Sequence, residues 1–392
     1  MKDVQMEKLI KGEKARQKKV TNLIASENYV SKDVLAALGS ELTNKYAEGY
    51  PGKRYYGGQE FTDKIENLCI ERALKTFDLS ALKWHVNVQA LSGSPANLAV
   101  YCALVPQGGK IMGMSLDHGG HLTHGHKVSM TGKIWQQVPY GVGDATEVIK
   151  YDDVKVLAMQ EKPNIIVCGF TAYPRVVDFK KFREIADACG AYLMVDMSHF
   201  AGLVAGGQYP SPFEYADVVT TTTHKTLRGP RGALIFAKKD GRGLDKLVDK
   251  AIFPGLQGGP HMNQIAAIAV ALKEAQSGAF KKYAVQVKKN AAVLASEMKK
   301  LGWHVISDGT DTHLVLVDTW MGGTGVCGRD ATELLEKQGI IVNKNAIPFD
   351  TRPPSDPSGI RLGSAAETTE GKKEKDFVKI AQKIDKVLKG KK

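Results

Sequence analysis

Long apolar runs are missing from this chain. None approaches the roughly 18 residues that cross a bilayer. The first twenty residues, MKDVQMEKLIKGEKARQKKV, lack the apolar block of a secretory signal, and their basic residues are mixed with acids, which also argues against a transit peptide. Cysteine is scarce. Cys69, Cys102, Cys168, Cys189 and Cys327 make an odd five, and no pair has C-x-x-C spacing. A disulfide-stapled scaffold is therefore excluded, and buried thiols in a reducing, cytoplasmic setting are expected. Aromatics are only 7% of the chain, and no block of basic residues interleaved with aromatics stands out as an RNA-binding face. Lys+Arg outnumber Asp+Glu by 54 to 42, giving +12, but the excess concentrates only at Lys11–Lys19 and Lys372–Lys392. It reads as a solvated basic surface, with steering of an anionic substrate as the second reading. Neither a nucleic-acid nor a membrane partner is expected.

What is present suits a globular protein: 392 residues, 43% hydrophobic and 24% charged, enough for two or three domains. A helical arm at 2–19 leads to the Gly/Tyr-rich stretch YAEGYPGKRYYGG (46–58), and helical periodicity returns at 59–77. Short apolar runs then alternate with amphipathic segments. Strands are predicted at 109–114, 164–169, 191–196, 217–222 and 232–237, with a clear helix at 178–190. This alternation predicts an α/β fold with a mostly parallel sheet covered on both faces and a site beyond the strands' carboxyl ends. Long helices are predicted at about 260–276 and 278–301, followed by smaller units. The division expected is an N-terminal arm (1–40), a large domain (41–265) and a smaller α+β domain (266–392).

Five segments carry chemistry. In VVTTTTHKTLRGPRG (218–232) a strand ends in threonines, then His224 and Lys225, with Arg228 and Arg231 near. Neighbouring positive charge and desolvation would favour the neutral amine that a Schiff base requires; a surface lysine on a turn is the alternative. Asp196 closes the apolar run of MVDMSHF, with His199 three residues on. It suits a carboxylate facing a pyridine nitrogen, or else a helix cap. Ser92, Gly93 and Ser94 precede a helix with Pro95 at its first position, either a phosphate cradle or an ordinary capped start. The four histidines of DHGGHLTHGH (117–126) invite a metal, but glycines break their alignment and no Cys or Glu completes a ligand set, so no metal is expected. His121 fits better as a ring stacked on a flat cofactor. Arg361 in SGIRLG could clamp a carboxylate or form a surface salt bridge.

Together these segments resemble the serine hydroxymethyltransferase family, fold-type-I pyridoxal phosphate enzymes with a large sheet of the seven-stranded type. The resemblance covers nearly the whole chain, through LIASENY (23–29), LTNKYAEGYPGKRYYGG (42–58), SGSPANLAVY, HGGHLTHG, DMSHFAGLVAGG, VVTTTTHKTLRGPRGALIF, FPGLQGGPH (253–261), VNKNAIPFD (342–350) and SGIRLG. It implies reversible conversion of L-serine and a tetrahydrofolate-type pterin to glycine and the methylene-pterin. By resemblance, Lys225 carries pyridoxal 5′-phosphate as a Schiff base, Asp196 pairs with the ring nitrogen, His199 supports the ring hydroxyl and substrate, and His121 stacks on the ring. Ser92, Gly93 and Ser94 hold the phosphate, with Gly258 and Gly259 from a second subunit. Thr171 adds a hydroxyl, and Thr222 and His224 line the lysine's surroundings. Arg361 and Ser26 hold the amino-acid carboxylate. Tyr46, Glu48, Tyr55 and Tyr56 reach in from the neighbouring subunit, with Glu48 as general acid/base. Leu116, Gly120 and Leu122 touch the pterin. A homodimer is implied as the minimum unit, with a tetramer left open.

The chain departs from the family pattern in places. Thr171 stands where serine is common, and Pro174 replaces another serine. Ser355-Asp356-Pro357 replaces an aromatic-containing triplet. Glu367 and Glu370 replace an apolar residue and an arginine. These last changes are read as lying on the pterin and small-domain side, leaving tetrahydrofolate and a methanopterin relative both open. A folate-independent threonine or allo-threonine aldolase is the rival within the fold.

Overall fold

The structure, a computed structural model, describes residues 2–390. Seven strands form the larger sheet: β1 (Trp84–Asn87), β2 (Lys110–Met114), β3 (Gln136–Tyr140), β4 (Ile165–Gly169), β5 (Tyr192–Asp196), β6 (Val218–Thr222) and β7 (Ala233–Lys238). Their order is β1-β7-β6-β5-β4-β2-β3. The run from β6 to β3 is parallel, while β7 is antiparallel to both neighbours. The five strands read from the sequence all form, with bounds shifted by one residue, because each is an apolar run closed by turn residues.

Side-chain alternation explains why both faces are covered. Ile165 and Val167 enter one core with Ile111, Met194 and Val218, whereas Ile166 and Cys168 enter the other with Met112, Leu193 and Val219. The long helices are α1 (Val4–Lys19), α2 (Glu60–Thr76), α3 (Gly93–Leu104), α4 (Tyr151–Glu161), α5 (Phe179–Cys189), α6 (Met262–Ala275), α7 (Gly278–Lys300), α8 (Gly328–Lys337) and α9 (Glu374–Lys389). The start of α5 is capped by Asp178, whose side chain accepts from Lys181 N, and Gly190 ends it in the left-handed region. α1 has an Asp3 cap and buries no residue.

A second, antiparallel sheet has the order β8-β9-β11-β10, with β8 (His304–Val305), β9 (Leu314–Asp318), β10 (Asn343–Asn345) and β11 (Gly359–Gly363). Its core is built from Val315, Val317, Ile360 and Leu362 against α7 and α9. Leu23 joins that core, because the two-residue strand Thr21–Asn22 pairs in parallel with Ile340–Ile341. The segment just after α1 is thus held by a separate two-stranded pairing beside the second sheet, whose Gly363 N–H donates to Leu23 O at 2.8 Å, and it delivers Ser26 toward the first sheet. All five cysteines are free.

Candidate functional site

A cavity of about 300 Å³ opens at the carboxyl ends of β4, β5 and β6, the edge at which parallel sheets bind ligands. Asp196, the last residue of β5, faces it and is buried. Its Oδ2 accepts from Asn97 Nδ2 at 2.8 Å and lies 3.1 Å from His124 Nε2; its Oδ1 accepts from the Ser198 hydroxyl at 2.5 Å and backbone at 3.1 Å. Burial alone would raise the carboxyl's pKa. The hydrogen bonds from His124 and Ser198 overcome that and hold it well below the usual range. Asp196 is therefore ionised. Gly169 is required opposite it: a Cβ there would come within 2.7 Å of the Asp196 Cβ.

Lys225 lies three residues beyond β6, and its amine donates to Thr222 Oγ1 at 3.2 Å. Burial first, then the charges of Arg361 and Arg231, lower its pKa to about 8, with Asp196 opposing. The expected lowering is present, though the amine still carries its proton below about pH 8, and the cause differs from the expected one. Arg228 takes no part: its guanidinium stacks over Tyr283 at 4.2 Å and Phe280 at 5.2 Å. His224 is pushed down to about 3, by burial and then by Lys225 and Arg231. The backbone oxygen of Lys225 accepts from Asn28 Nδ2 at 3.0 Å, tying the loop to the N-terminal segment.

Ser92, Gly93 and Ser94 line the same cavity. Ser92 occupies the cap of α3 but makes no capping hydrogen bond, and the helix's first turn carries no acid. That leaves hydroxyl and N–H groups available for an anion at the positive end of the helix. A Cβ at Gly93 would approach the Thr222 methyl to 2.7 Å, so the helix end abuts the end of β6. His121 also lines the cavity, with Nδ1 2.7 Å from Thr123 Oγ1. Burial first, then His124, lower its pKa to about 4, so the ring is neutral.

Arg361 lies on β11, is 6% exposed, and spans the gap between the sheets. Its Nη1 donates to Thr171 O at 2.8 Å and its Nε to Asn343 Oδ1 at 3.1 Å. Among the described residues no carboxylate pairs with it, which disposes of the surface salt bridge as its purpose. Burial lowers its pKa to about 10, leaving it charged.

The cavity thus gathers Ser26, Ser92, Gly93, Ser94, His121, Thr171, Asp196, His199, Thr222, His224 and Lys225. Other expected residues lie outside its lining. Tyr46, Glu48 and Tyr56 form their own cluster, with Tyr46 and Tyr56 hydroxyls 3.4 and 3.1 Å from Glu48 oxygens. Gly258 and Gly259 belong to it: a Cβ at either would lie 3.2 Å from Glu48 Oε1 or the Tyr46 ring. Tyr55 packs edge-on against Phe253 and is largely exposed. Leu116, Gly120 and Leu122 sit on the loop after β2, with Leu122 exposed. Three Asp196 partners escaped the sequence reading: Asn97, His124 and Ser198. Among the described residues no cluster of three or more His, Cys, Asp or Glu side chains could hold a metal. Of the four histidines, His121 and His124 stay together at the cavity with ring centroids 5.6 Å apart, while His118 packs on Phe349 and His126 accepts from Val128 N. Glu367 is buried, takes Asn22 N–H at 2.6 Å and pairs with Lys372, outside the cavity lining.

Comparison with known proteins adds two findings. The family model described as serine hydroxymethyltransferase matches residues 1–384. A serine hydroxymethyltransferase of Desulfotalea psychrophila is 53% identical over 386 residues, covering 98% of this chain and 88% of that protein.

Proposed function

The chain belongs to the serine hydroxymethyltransferase family, and we propose that the cavity beside Lys225 is where it carries out that family's reaction. The activity is a glycine hydroxymethyltransferase: L-serine gives up its hydroxymethyl carbon and glycine remains. Family membership favours this over a threonine aldolase. Enzymes of the family use pyridoxal 5′-phosphate, with a reduced folate taking the one-carbon unit. When bound, that cofactor supplies an electron-withdrawing pyridinium ring conjugated to the amino acid's α-carbon.

The chain's residues fit that group. The observation that carries the reading is Lys225, whose amine has Thr222 as its hydrogen-bond partner and faces an ionised Asp196 across the cavity. Lys225 would hold the cofactor's aldehyde carbon, and Asp196 would keep a proton on the pyridine nitrogen. The uncapped start of α3, with Ser92, Gly93 and Ser94, would take the phosphate. His121 would lie against the ring, where its neutral imidazole adds no charge. Arg361, lacking a carboxylate of its own, would bind the substrate carboxylate beside Ser26. Thr171 orients it by accepting from Nη1.

The exposed Tyr46–Glu48–Tyr56 cluster, with Tyr55, Gly258 and Gly259, supports a homodimer in which this surface completes the partner's cavity. Glu48 would then move a proton at the serine hydroxyl or the pterin. The naked α1 helix supports the same assembly. Leu116, Gly120 and Leu122 would meet the pterin. Among the described residues no helix is long and apolar enough to cross a membrane, and the free cysteines support a cytoplasmic location.

The test is a serine-to-glycine assay on purified protein with each pterin supplied in turn, beside borohydride reduction and peptide mass spectrometry. A pyridoxyl group on Lys225, and turnover lost in Lys225→Ala, are expected. A pyridoxyl group on another lysine would overturn the assignment.

A further inference from the structure

His313 lies one residue before β9, fully buried and outside the cavity lining. Its Nε2 is 3.1 Å from the backbone oxygen of Ala25 and 3.3 Å from Nδ1 of His199, which does line the cavity. The two ring centroids are 5.4 Å apart with planes only 24° from parallel. With so short an N···N contact, the rings must sit side by side, the arrangement of an N–H···N bond rather than of face-to-face stacking.

The protons can be assigned. Burial first, then Arg361 and Lys225, push His313 down to about 3 against the pull of the Ala25 bond, so the ring is neutral. A neutral imidazole carries one N–H. The Ala25 carbonyl can only accept, so the proton belongs on Nε2. The other tautomer would oppose two lone pairs at Ala25 and bury an N–H at Nδ1, which has no partner. That one Nε2–H is shared between the Ala25 oxygen and His199, and since the protonated nitrogen has no lone pair to offer, Nδ1 of His199 can face it only as an acceptor. Burial first, then Lys225, Arg361, His313 and His121, drive the pKa of His199 well down, so it too is neutral. Its single proton therefore sits on Nε2, the nitrogen left for the cavity.

We propose that His313 is a positioning residue: anchored by the Ala25 carbonyl, it locks His199 as the Nε2–H tautomer and makes it a donor to an oxygen bound in the cavity. The inference rests on the Lys225 cavity being the active site. It also explains why a residue of the second sheet reaches across to the first. The contact that sets the His199 proton also holds Ala25, and with it Ser26 at the cavity wall.

The experiment uses holoenzyme labelled with ¹⁵N-histidine, with His199 signals assigned by difference against His199→Asn. A protonated Nε2 and a bare Nδ1 are expected, unchanged through the range of roughly pH 5 to 8 in which a free histidine titrates. His313→Gln places an amide N–H where Nε2 was, so it should keep that pattern and stay close to wild-type turnover. His313→Leu removes the donor; His199 should populate Nδ1–H and serine kcat/KM should fall roughly 10–100-fold, as when other histidine-orienting partners are lost. A proton on Nδ1 of His199 in the wild type would overturn the lock, as would equal losses in the Gln and Leu variants. If the Leu variant does not fold, the wild-type and Gln spectra still decide. The spectra need no turnover: an intact Nε2–H pattern in a protein inactive toward serine would support the lock and strike the active-site reading instead.

Discussion

Asn97 Nδ2 lies 2.8 Å from Asp196 Oδ2, while the other end of the same amide accepts from the Thr220 hydroxyl at 2.8 Å. One side chain of α3 thereby fixes the anion-binding helix, the carboxylate and β6 relative to one another. Asn97→Ala removes a hydrogen bond to a charged group and leaves the buried Thr220 hydroxyl without its acceptor. Stability should drop by about 1.5–3 kcal/mol. The denaturant midpoint should fall with the slope m unchanged; an unmoved midpoint would mean that the amide holds nothing in place.

Lys225 should make the cofactor-free protein's stability depend on pH. Its pKa falls from 10.5 to about 8, mainly through burial. Between those values the unfolded chain binds the proton that the folded chain releases, so stability rises with pH across this window. Below about pH 8 both states are charged and the full penalty applies. Lys225→Met removes the penalty and should stabilise the cofactor-free protein by on the order of 1–3 kcal/mol at pH 7. The gain should shrink toward pH 10.5. Chemical denaturation of both proteins at the two pH values measures it, and a gain independent of pH would deny that the lysine is depressed.

Glu48→Gln separates the transferase from an aldolase. The glutamine keeps the shape of the cluster with Tyr46 and Tyr56 and removes the exchangeable proton. Serine conversion with folate should fall at least ~10²-fold, the usual scale for a lost acid–base group. Cleavage of allo-threonine, which needs no acceptor, should fall much less. Equal losses in both reactions would make Glu48 structural.

Glu367 should matter to stability and not to catalysis. It is buried against Lys372, whose side chain is 35% exposed, and it takes the Asn22 N–H at 2.6 Å. In Glu367→Gln the lysine can turn to water, so the loss should be about 1–2 kcal/mol. Glu367→Leu also strands the Asn22 N–H and should lose more. The KM for serine should stay put in both. A raised KM with unchanged stability would return this position to the substrate side.

The chain's own order of residues already contained the strands and the chemistry at their ends. The runs closed by Asp196 and Thr222 form strands, and parallel topology puts the residues just beyond them, His199 and Lys225, at one edge. Those features depend on neighbours in sequence, so a sequence can carry them. Partners distant in sequence are another matter. Asn97 and His124 meet on the Asp196 carboxylate only because the sheet order brings α3 and the loop after β2 to the end of β5, whereas Ser198 reaches it from two residues away. Arg228 is three residues from Lys225 yet stacks on Tyr283 of α7, from a left-handed backbone position with φ 58°. Glu367, read as a change near the pterin, is buried beside Lys372. The pairing of His199 with His313 joins two sheets across 114 residues. Residue types and local periodicity determined which groups this protein has at its strand ends. Packing decided which of them are desolvated, which are paired, and hence which nitrogen carries a proton, because burial and charge act through space and not along the chain.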